Sequence, residues 1–202
     1  MLYPDLPYSQ ACENNKAAIL AVLHQAFAAS SKVLEVGSGT GQHAEYFASH
    51  LAHLTWQASE QPQYLAPLAE RLRRAGLANL PLPVALDICQ DTVPKPAFDA
   101  LFSANTLHIM PWNVVKQFFS RLNQLLCQPA TLCIYGPFNY NGNFTSDSNR
   151  LFDQSLKSRD PAMGIRDCAA VVALAAAEGF TLQQDHSMPA NNRLLQFVSS
   201  KP

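Results

Sequence analysis

The chain has 202 residues, a formal net charge of −1 and only 14% charged residues. That length suits one domain with a sizeable core, and the even charge balance, with no Lys/Arg cluster, argues against nucleic acid as the main partner. The longest apolar-rich run, Ala169 to Ala177, is too short to span a bilayer, Met1-Leu2-Tyr3-Pro4-Asp5 lacks the blocks of a signal peptide, and Cys12, Cys89, Cys127, Cys133 and Cys168 form no CxxC pair, so a cytoplasmic chain with buried thiols and no metal site is expected.

Residues 1–11 carry Tyr3, Pro4, Pro7 and Tyr8 and read as an ordered arm. From about Cys12 to Ala29, the apolar positions Ile19, Leu20, Val22, Leu23 and Phe27 predict an amphipathic helix. Two roles are open to it: cover for a sheet face, or a lid over a binding site with Tyr8, Glu13 and Asn15 as its polar groups. Next comes Lys32 to Gln42. Val33, Leu34 and Val36 predict a buried strand, Gly37, Gly39 and Gly41 follow at alternate positions, and Ala44, Phe47, Ala48 and Leu51 mark one face of a helix. Strand, glycine turn and helix open a nucleotide-binding α/β sheet, with the free N–H groups of the helix start at the turn. A dinucleotide fingerprint wants glycine at its first, third and sixth positions, and Gln42 occupies the sixth.

Leu54 to Ala58 predicts a second strand that ends in Ser59-Glu60-Gln61. An acid at that strand end can accept hydrogen bonds from both ribose hydroxyls. The alternative is a solvated or helix-start charge, because Pro62 and a helix through about Ala75 follow, stopped by Gly76. A third strand, about Leu82 to Leu86, ends in Asp87-Ile88, placed either to hold an adenine amino group with the isoleucine on the ring or to cap a turn. Pro94 and Pro96 mark a loop where a helix is usual. Ala97 to Ala104 is the fourth strand, followed by Asn105-Thr106-Leu107-His108-Ile109. His108 reads as a general base, since imidazole titrates near neutrality, or as a hydrogen-bonded packing residue.

Pro111 opens a helix through about Leu126, on which Trp112, Phe118 and Phe119 read as core. Thr131 to Tyr135 is the fifth strand. Residues 138–165 then form an insertion: a polar loop from Asn139 to Asp147, a short helix from Ser148 to Lys157 and a turn at Asp160-Pro161. It leaves the carboxyl end of a central strand, the edge where open α/β sheets bind ligands. Arg166 to Glu178 predicts a helix stopped by Gly179. Thr181 to Ser187 and Leu194 to Ser199 are the last strands, joined through Met188-Pro189-Ala190-Asn191-Asn192, whose asparagines tolerate a left-handed turn.

The pattern Glu35-x-Gly-x-Gly-x-Gly resembles motif I of class I S-adenosylmethionine (SAM) methyltransferases. With it stand Ala11-Cys12-Glu13-x-Asn15-Lys16, Asn105-x-x-His108, Tyr135-Gly136-Pro137-Phe138, Ser148-Asn149-x-x-Phe152-Asp153, Arg159-Asp160-Pro161, Gly164-Ile165-Arg166-Asp167 and the Met188 to Asn192 run. Over nearly the whole chain these resemble a family of SAM-dependent methyltransferase-like proteins. The resemblance implies an α/β, Rossmann-like fold over residues 1–202, with a seven-stranded, mostly parallel sheet, a last antiparallel strand and helices on both faces. It implies methyl transfer from SAM to a small-molecule acceptor, with S-adenosylhomocysteine (SAH) as product; a SAM- or SAH-binding module without transferase activity is the rival. Glu35, Gly37, Gly39, Gly41, Glu60 and Asp87 carry over as cofactor contacts, with Ser38, Gln61, Ile88 and Asn105 beside them.

His108 and Tyr135 are the catalytic candidates, and Tyr8, Asn15, His108, Tyr135, Asn149, Arg159 and Asn191 the substrate-binding ones. No membrane partner is expected, and the oligomeric state stays open. Two positions depart from the family pattern: Asn14 stands for an expected arginine, removing an anchor for an anionic group, and Met163 for an expected tryptophan, softening the insertion wall. Arg159, Asp160, Arg166 and Asp167 either lock the insertion onto the core as ion pairs or meet substrate. Asn191 and Asn192 either shape the hairpin or meet substrate.

Overall fold

The structure is a computed structural model that describes residues 3–90 and 97–199. Met1 and Leu2 of the arm and the loop expected at Pro94 and Pro96 lie outside these residues. In chain order the elements are α1 (Gln10–Ala26), β1 (Lys32–Val36), α2 (Gln42–His50), β2 (Thr55–Glu60), a 3-10 turn (Pro62–Tyr64) leading into α3 (Leu65–Ala75), β3 (Val84–Ala85), β4 (Phe98–Ala104), α4 (Trp112–Ser120), α5 (Leu122–Leu125), β5 (Leu126–Gly136), β6 (Phe138–Asn139), α6 (Asp147–Arg159), β7 (Arg166–Asp167), α7 (Cys168–Ala177), β8 (Phe180–Met188) and β9 (Asn192–Ser199). Caps set several boundaries. Ser9, Ser146 and Asp167 accept the N–H of Cys12, Asn149 and Ala169, so α1 and α6 start earlier, and α7 later, than their apolar periodicity suggests.

Seven strands form one sheet in the order β3-β2-β1-β4-β5-β9-β8. All neighbours pair in parallel up to β5, and β9 runs antiparallel to both β5 and β8. The sheet is the mostly parallel one expected, with its last strand reversed. Alternation along the central strands sends side chains to two cores. Val33, Ala100, Phe102, Cys133 and Tyr135 pack with α1, α2 and α3 through Ile19, Phe47 and Leu68. Leu34, Leu101, Leu132 and Ile134 pack with α4 and α7 through Phe118, Phe119 and Val171. Three parallel strands, β1, β4 and β5, therefore lie between helices, and in such a sheet ligands bind beyond the carboxyl ends of the strands.

Three expectations change. The third strand, at the sheet edge, shrinks to two residues, with Leu82 and Val84 exposed, because Pro81 and Pro83 carry no N–H to donate to a ladder. The helix expected through Leu126 breaks at Arg121, and β5 begins at Leu126. A separate two-stranded parallel ladder, Phe138–Asn139 with Arg166–Asp167, fastens both ends of the insertion, and two-residue strands leave no periodicity to read. Among the cysteines, Cys133 and Cys168 are buried, Cys12 and Cys89 half-buried, and Cys127 exposed. Among the described residues no helix is long and apolar enough to cross a membrane.

Candidate functional site

The carboxyl ends of β1, β2, β3, β4 and β5 open on one continuous cavity of about 1310 Å3. At one end lies the glycine turn. Gly37 and Gly41 have positive φ, and a Cβ on either would stand 2.5 Å from Thr106 or Leu68, so these glycines let the turn pack downwards. Gly39, with φ +53, has nothing within 4 Å above it, so its backbone faces open space. Gly37, Ser38 and Gly39 line the cavity. Gly41 does not: it caps α2 and is covered by α3.

Glu60 stands at the end of β2 with its two oxygens accepting the N–H groups of Gly39 and Gln61, both at 2.8 Å. A carboxylate has about four lone-pair directions, so two remain for a ligand. Asp87 caps its own turn, accepting from Cys89 N–H at 2.8 Å, and also lines the cavity. Gln61 and Ile88 line the same end. Glu35 is a correction: it does not line the cavity. Strand alternation turns it under the glycine turn, where it is 2% exposed and accepts the Trp56 Nε1–H at 3.0 Å. Burial raises its pKa to about 7.

At the other end, Asn105 sits in the left-handed region with φ 59 and donates its N–H to Tyr135 O at 2.9 Å. His108 follows on the same loop, 7% exposed, its ring edge-on to Phe152 at 5.2 Å. Burial, then the nearby Arg166 and Arg159, lowers its pKa to about 4. Tyr135 is buried, which raises its pKa, while the amides of Asn15 and Asn192 act on its hydroxyl in the opposite sense. Asn15 Oδ1 lies 2.7 Å from His43 Nε2. Burial lowers the His43 pKa to about 4, so the ring is neutral and its Nε2–H donates to the amide. Asn149 donates to Thr145 Oγ1 and to the carbonyl of Asn191. Asn15, Asn105, His108, Tyr135 and Asn149 all line the cavity.

Three expected substrate residues do not. Tyr8 precedes the Ser9 cap and turns outward, bonding Gln10 and lining a neighbouring cleft of about 510 Å3. Arg159 is exposed at the end of α6. Asn191 forms the left-handed hairpin turn and donates to Ser148 Oγ, and Asn192 takes its place in the cavity wall. No ion pair joins Arg159, Asp160, Arg166 and Asp167 among the described residues. Arg166 instead donates to the carbonyls of Leu107, Met110 and Ala162, and Asp167 accepts from Gly142 N–H. The lock is made to backbone.

His43 was missed. His43 stood one turn before Phe47, a polar residue inside an apolar helix face, and that was its signal. The departing residues Asn14 and Met163 both line the cavity.

A family model described as "Protein of unknown function (DUF938)" matches residues 6–199. Among solved structures, the chain is similar to the mitomycin 7-O-methyltransferase MmcR, with a TM-score of 0.80 and 16% identity over 94% of this chain and 54% of that one. It is similar to NcsB1, an O-methyltransferase from neocarzinostatin biosynthesis in complex with SAM and 2-hydroxy-5-methyl naphthoic acid, at 0.76 and 14% over 94% and 55%. Human N-acetylserotonin methyltransferase in complex with SAM follows at 0.77 and 13% over 95% and 53%. The chain thus spans about half the length of these structures, and the likeness is one of fold: the α/β fold of class I methyltransferases.

Proposed function

This chain belongs to the DUF938 family, and we propose that it is a SAM-dependent methyltransferase working, as one domain, on a small-molecule acceptor. The observation that carries the reading is the single cavity joining Glu60 and Asp87 to His108, Tyr135 and Asn15. Its volume, about 1310 Å3, exceeds the roughly 300–1,000 Å3 of an ordinary one-ligand pocket and suits a cofactor beside an acceptor. The residues fit the cofactor. Glu60 keeps lone pairs for ribose hydroxyls, Asp87 and Ile88 offer an acceptor and an apolar contact for adenine, and the open backbone at Gly39 admits close approach. The SAM complexes among the similar structures support the same assignment.

Bound SAM supplies a methyl group already activated on a sulfonium. The chain's own task is then alignment and exclusion of water. Asn105 lines the cavity on the same loop as His108. The neutral His108 offers a hydrogen-bond acceptor that orients a hydroxyl acceptor, while burial, Arg166 and Arg159 lower its pKa to about 4 and make it a weak base. Tyr135 stays a neutral phenol, because burial raises its pKa, and so donates a hydrogen bond without serving as a base.

Isothermal titration with SAH and, in parallel, with NAD tests the cofactor. Binding of SAH and not NAD is expected, and the reverse overturns the reading. A methyl-release assay across metabolite pools then separates transferase from binder. No methyl release in any pool, alongside tight SAH binding, would favour the binding module.

A further inference from the structure

The acceptor end of the cavity is polar without being charged. Among the described residues, the charged side chains lining the cavity are Glu60 and Asp87, both at the nucleoside end. Around Tyr135 and His108 the polar groups are neutral amides, Asn14, Asn15, Asn149 and Asn192, and the walls are Ile109, Met110, Phe152 and Met163.

The charges nearby are engaged elsewhere. Arg166 is turned onto three backbone carbonyls. Asp153 accepts from Ile165 N–H and pairs with Lys157. Lys16 pairs with Glu13, and Arg193 with Asp185. Arg159 stays at the exposed end of α6 and acts on His108 only through its field. Both cavity histidines are neutral as well: burial lowers both pKa values, Lys16 beside His43 and Arg166 and Arg159 beside His108 act in the same direction, and Glu13, which opposes them at His43, is outweighed.

A charge placed in this chamber loses water and gains no counter-ion. A hydroxyl or amide meets amide N–H and C=O groups that match it. One of these is fixed in direction: the His43 Nε2–H occupies Asn15 Oδ1, which leaves the Asn15 amide N–H aimed at the Tyr135 hydroxyl. We propose that the acceptor is an uncharged molecule, an apolar body bearing a hydroxyl or amide group, selected by the Asn15–Tyr135 pair and rejected if it carries a carboxylate, phosphate or ammonium. This rests on the methyltransferase reading for what happens to the acceptor, and on the cavity lining alone for its charge.

Three probes of one skeleton test it: benzyl alcohol, benzoate and benzylammonium, measured by ligand-observed NMR at neutral pH with and without saturating SAH. SAH lacks the sulfonium charge but keeps its α-ammonium and α-carboxylate, so the ranking without SAH reports the chamber's own side chains and the ranking with SAH shows what the cofactor adds. Benzyl alcohol is expected to bind about tenfold tighter than either ion, a modest share of the cost of burying an unpaired charge. Benzoate or benzylammonium binding as tightly as the alcohol, or no binding by any probe, overturns the proposal. The cofactor reading fails separately, by absence of SAH binding, while the probe ranking still decides this one. Two variants sharpen the result. Asn15→Asp is expected to bring benzylammonium above the alcohol, and Met163→Lys, at a half-exposed loop position that tolerates change, to bring benzoate above it. Unaltered rankings in both variants, each with wild-type SAH affinity, overturn the assignment of this chamber.

Discussion

Glu60 and Glu35 are carboxylates at the ends of adjacent parallel strands, and the face each one takes decides what it can do. Glu60 is held at the cavity by two backbone N–H groups, so Glu60→Ala removes a preset acceptor without disturbing the core. SAH affinity is expected to fall by roughly 1.5–3 kcal/mol for each charged hydrogen bond lost, at most two of them. A calorimetric Kd equal to wild type would remove Glu60 from the ribose. Glu35 is fully buried, and its effect is on stability. Its folded pKa of about 7 lies above the ordinary 4.5, so its favourable contribution is complete below pH 4.5 and is lost as pH rises through 7. Glu35→Gln keeps an oxygen for Trp56 and cannot ionise. The variant is expected to match wild type in unfolding free energy from urea titration near pH 4.5 and to exceed it by on the order of 3 kcal/mol above pH 7. A gap independent of pH would show that Glu35 ionises in the fold. The sequence placed both acids at strand ends, because alternation and the glycine turn mark those ends. It left open which side each one faces, and for Glu35 the side is set by Trp56, a residue brought over by a neighbouring strand.

The N-terminal arm and the glycine turn are joined by two side chains from helices that carry no cofactor contact. Arg71 of α3, 3% exposed, donates Nε–H to Thr40 O at 2.6 Å and Nη2–H to Pro7 O at 2.9 Å, and pairs with Glu45. Gln42 at the start of α2 accepts Ser9 N–H and donates to Glu13, both at 2.6 Å. The turn and the start of α1, both cavity walls, thus hold each other in place. Arg71→Met keeps the apolar stem and takes the donor from the Thr40 and Pro7 carbonyls, bonds that are part-buried and worth about 0.5–1.5 kcal/mol each. Lower stability in urea, weaker SAH binding and faster cleavage of the arm are expected together. Arg71→Lys should recover only part, since an ammonium cannot fork between two carbonyls. Wild-type SAH affinity in Arg71→Met would uncouple arm from turn. In the sequence Arg71 belongs to the run Arg71-Leu72-Arg73-Arg74, and nothing local distinguishes it from its exposed neighbour Arg73. Long-range bonds of this kind, like the ladder of β6 and β7, are absent from any one window of sequence.

Across the whole molecule, the order and kind of the main elements were legible because strands of period two and helices of period 3.6 alternate between glycine and proline stops. The edge was legible for the insertion, expected at the carboxyl end of a central strand, while the N-terminal helix and the 188–192 hairpin each had two roles open; Asn15, Asn149, Phe152, Met163 and Asn192 from these segments line the cavity. Direction was not. Tyr8, Arg159 and Asn191 leave from the right edge and point away, because a cap, an exposed helix end and a left-handed turn decide their course. The same three segments make a lid whose closure a ligand should favour. The insertion tip is secured by few bonds, the Tyr140–Asn143 bridge and Gly142 N–H on Asp167, and Phe144 beside it is exposed. A segment held so lightly opens locally and is cut from the open form. Ligand that binds only the closed form at a hundred times its Kd stabilises that form by about 2.7 kcal/mol, which slows such cleavage up to roughly a hundredfold. Limited proteolysis with and without SAH is therefore expected to show protection within residues 138–147 and near the N-terminus, with the protected sites mapped by mass spectrometry. Equal rates in both states would mean that the cavity is walled by rigid surface and that these segments do not close over it.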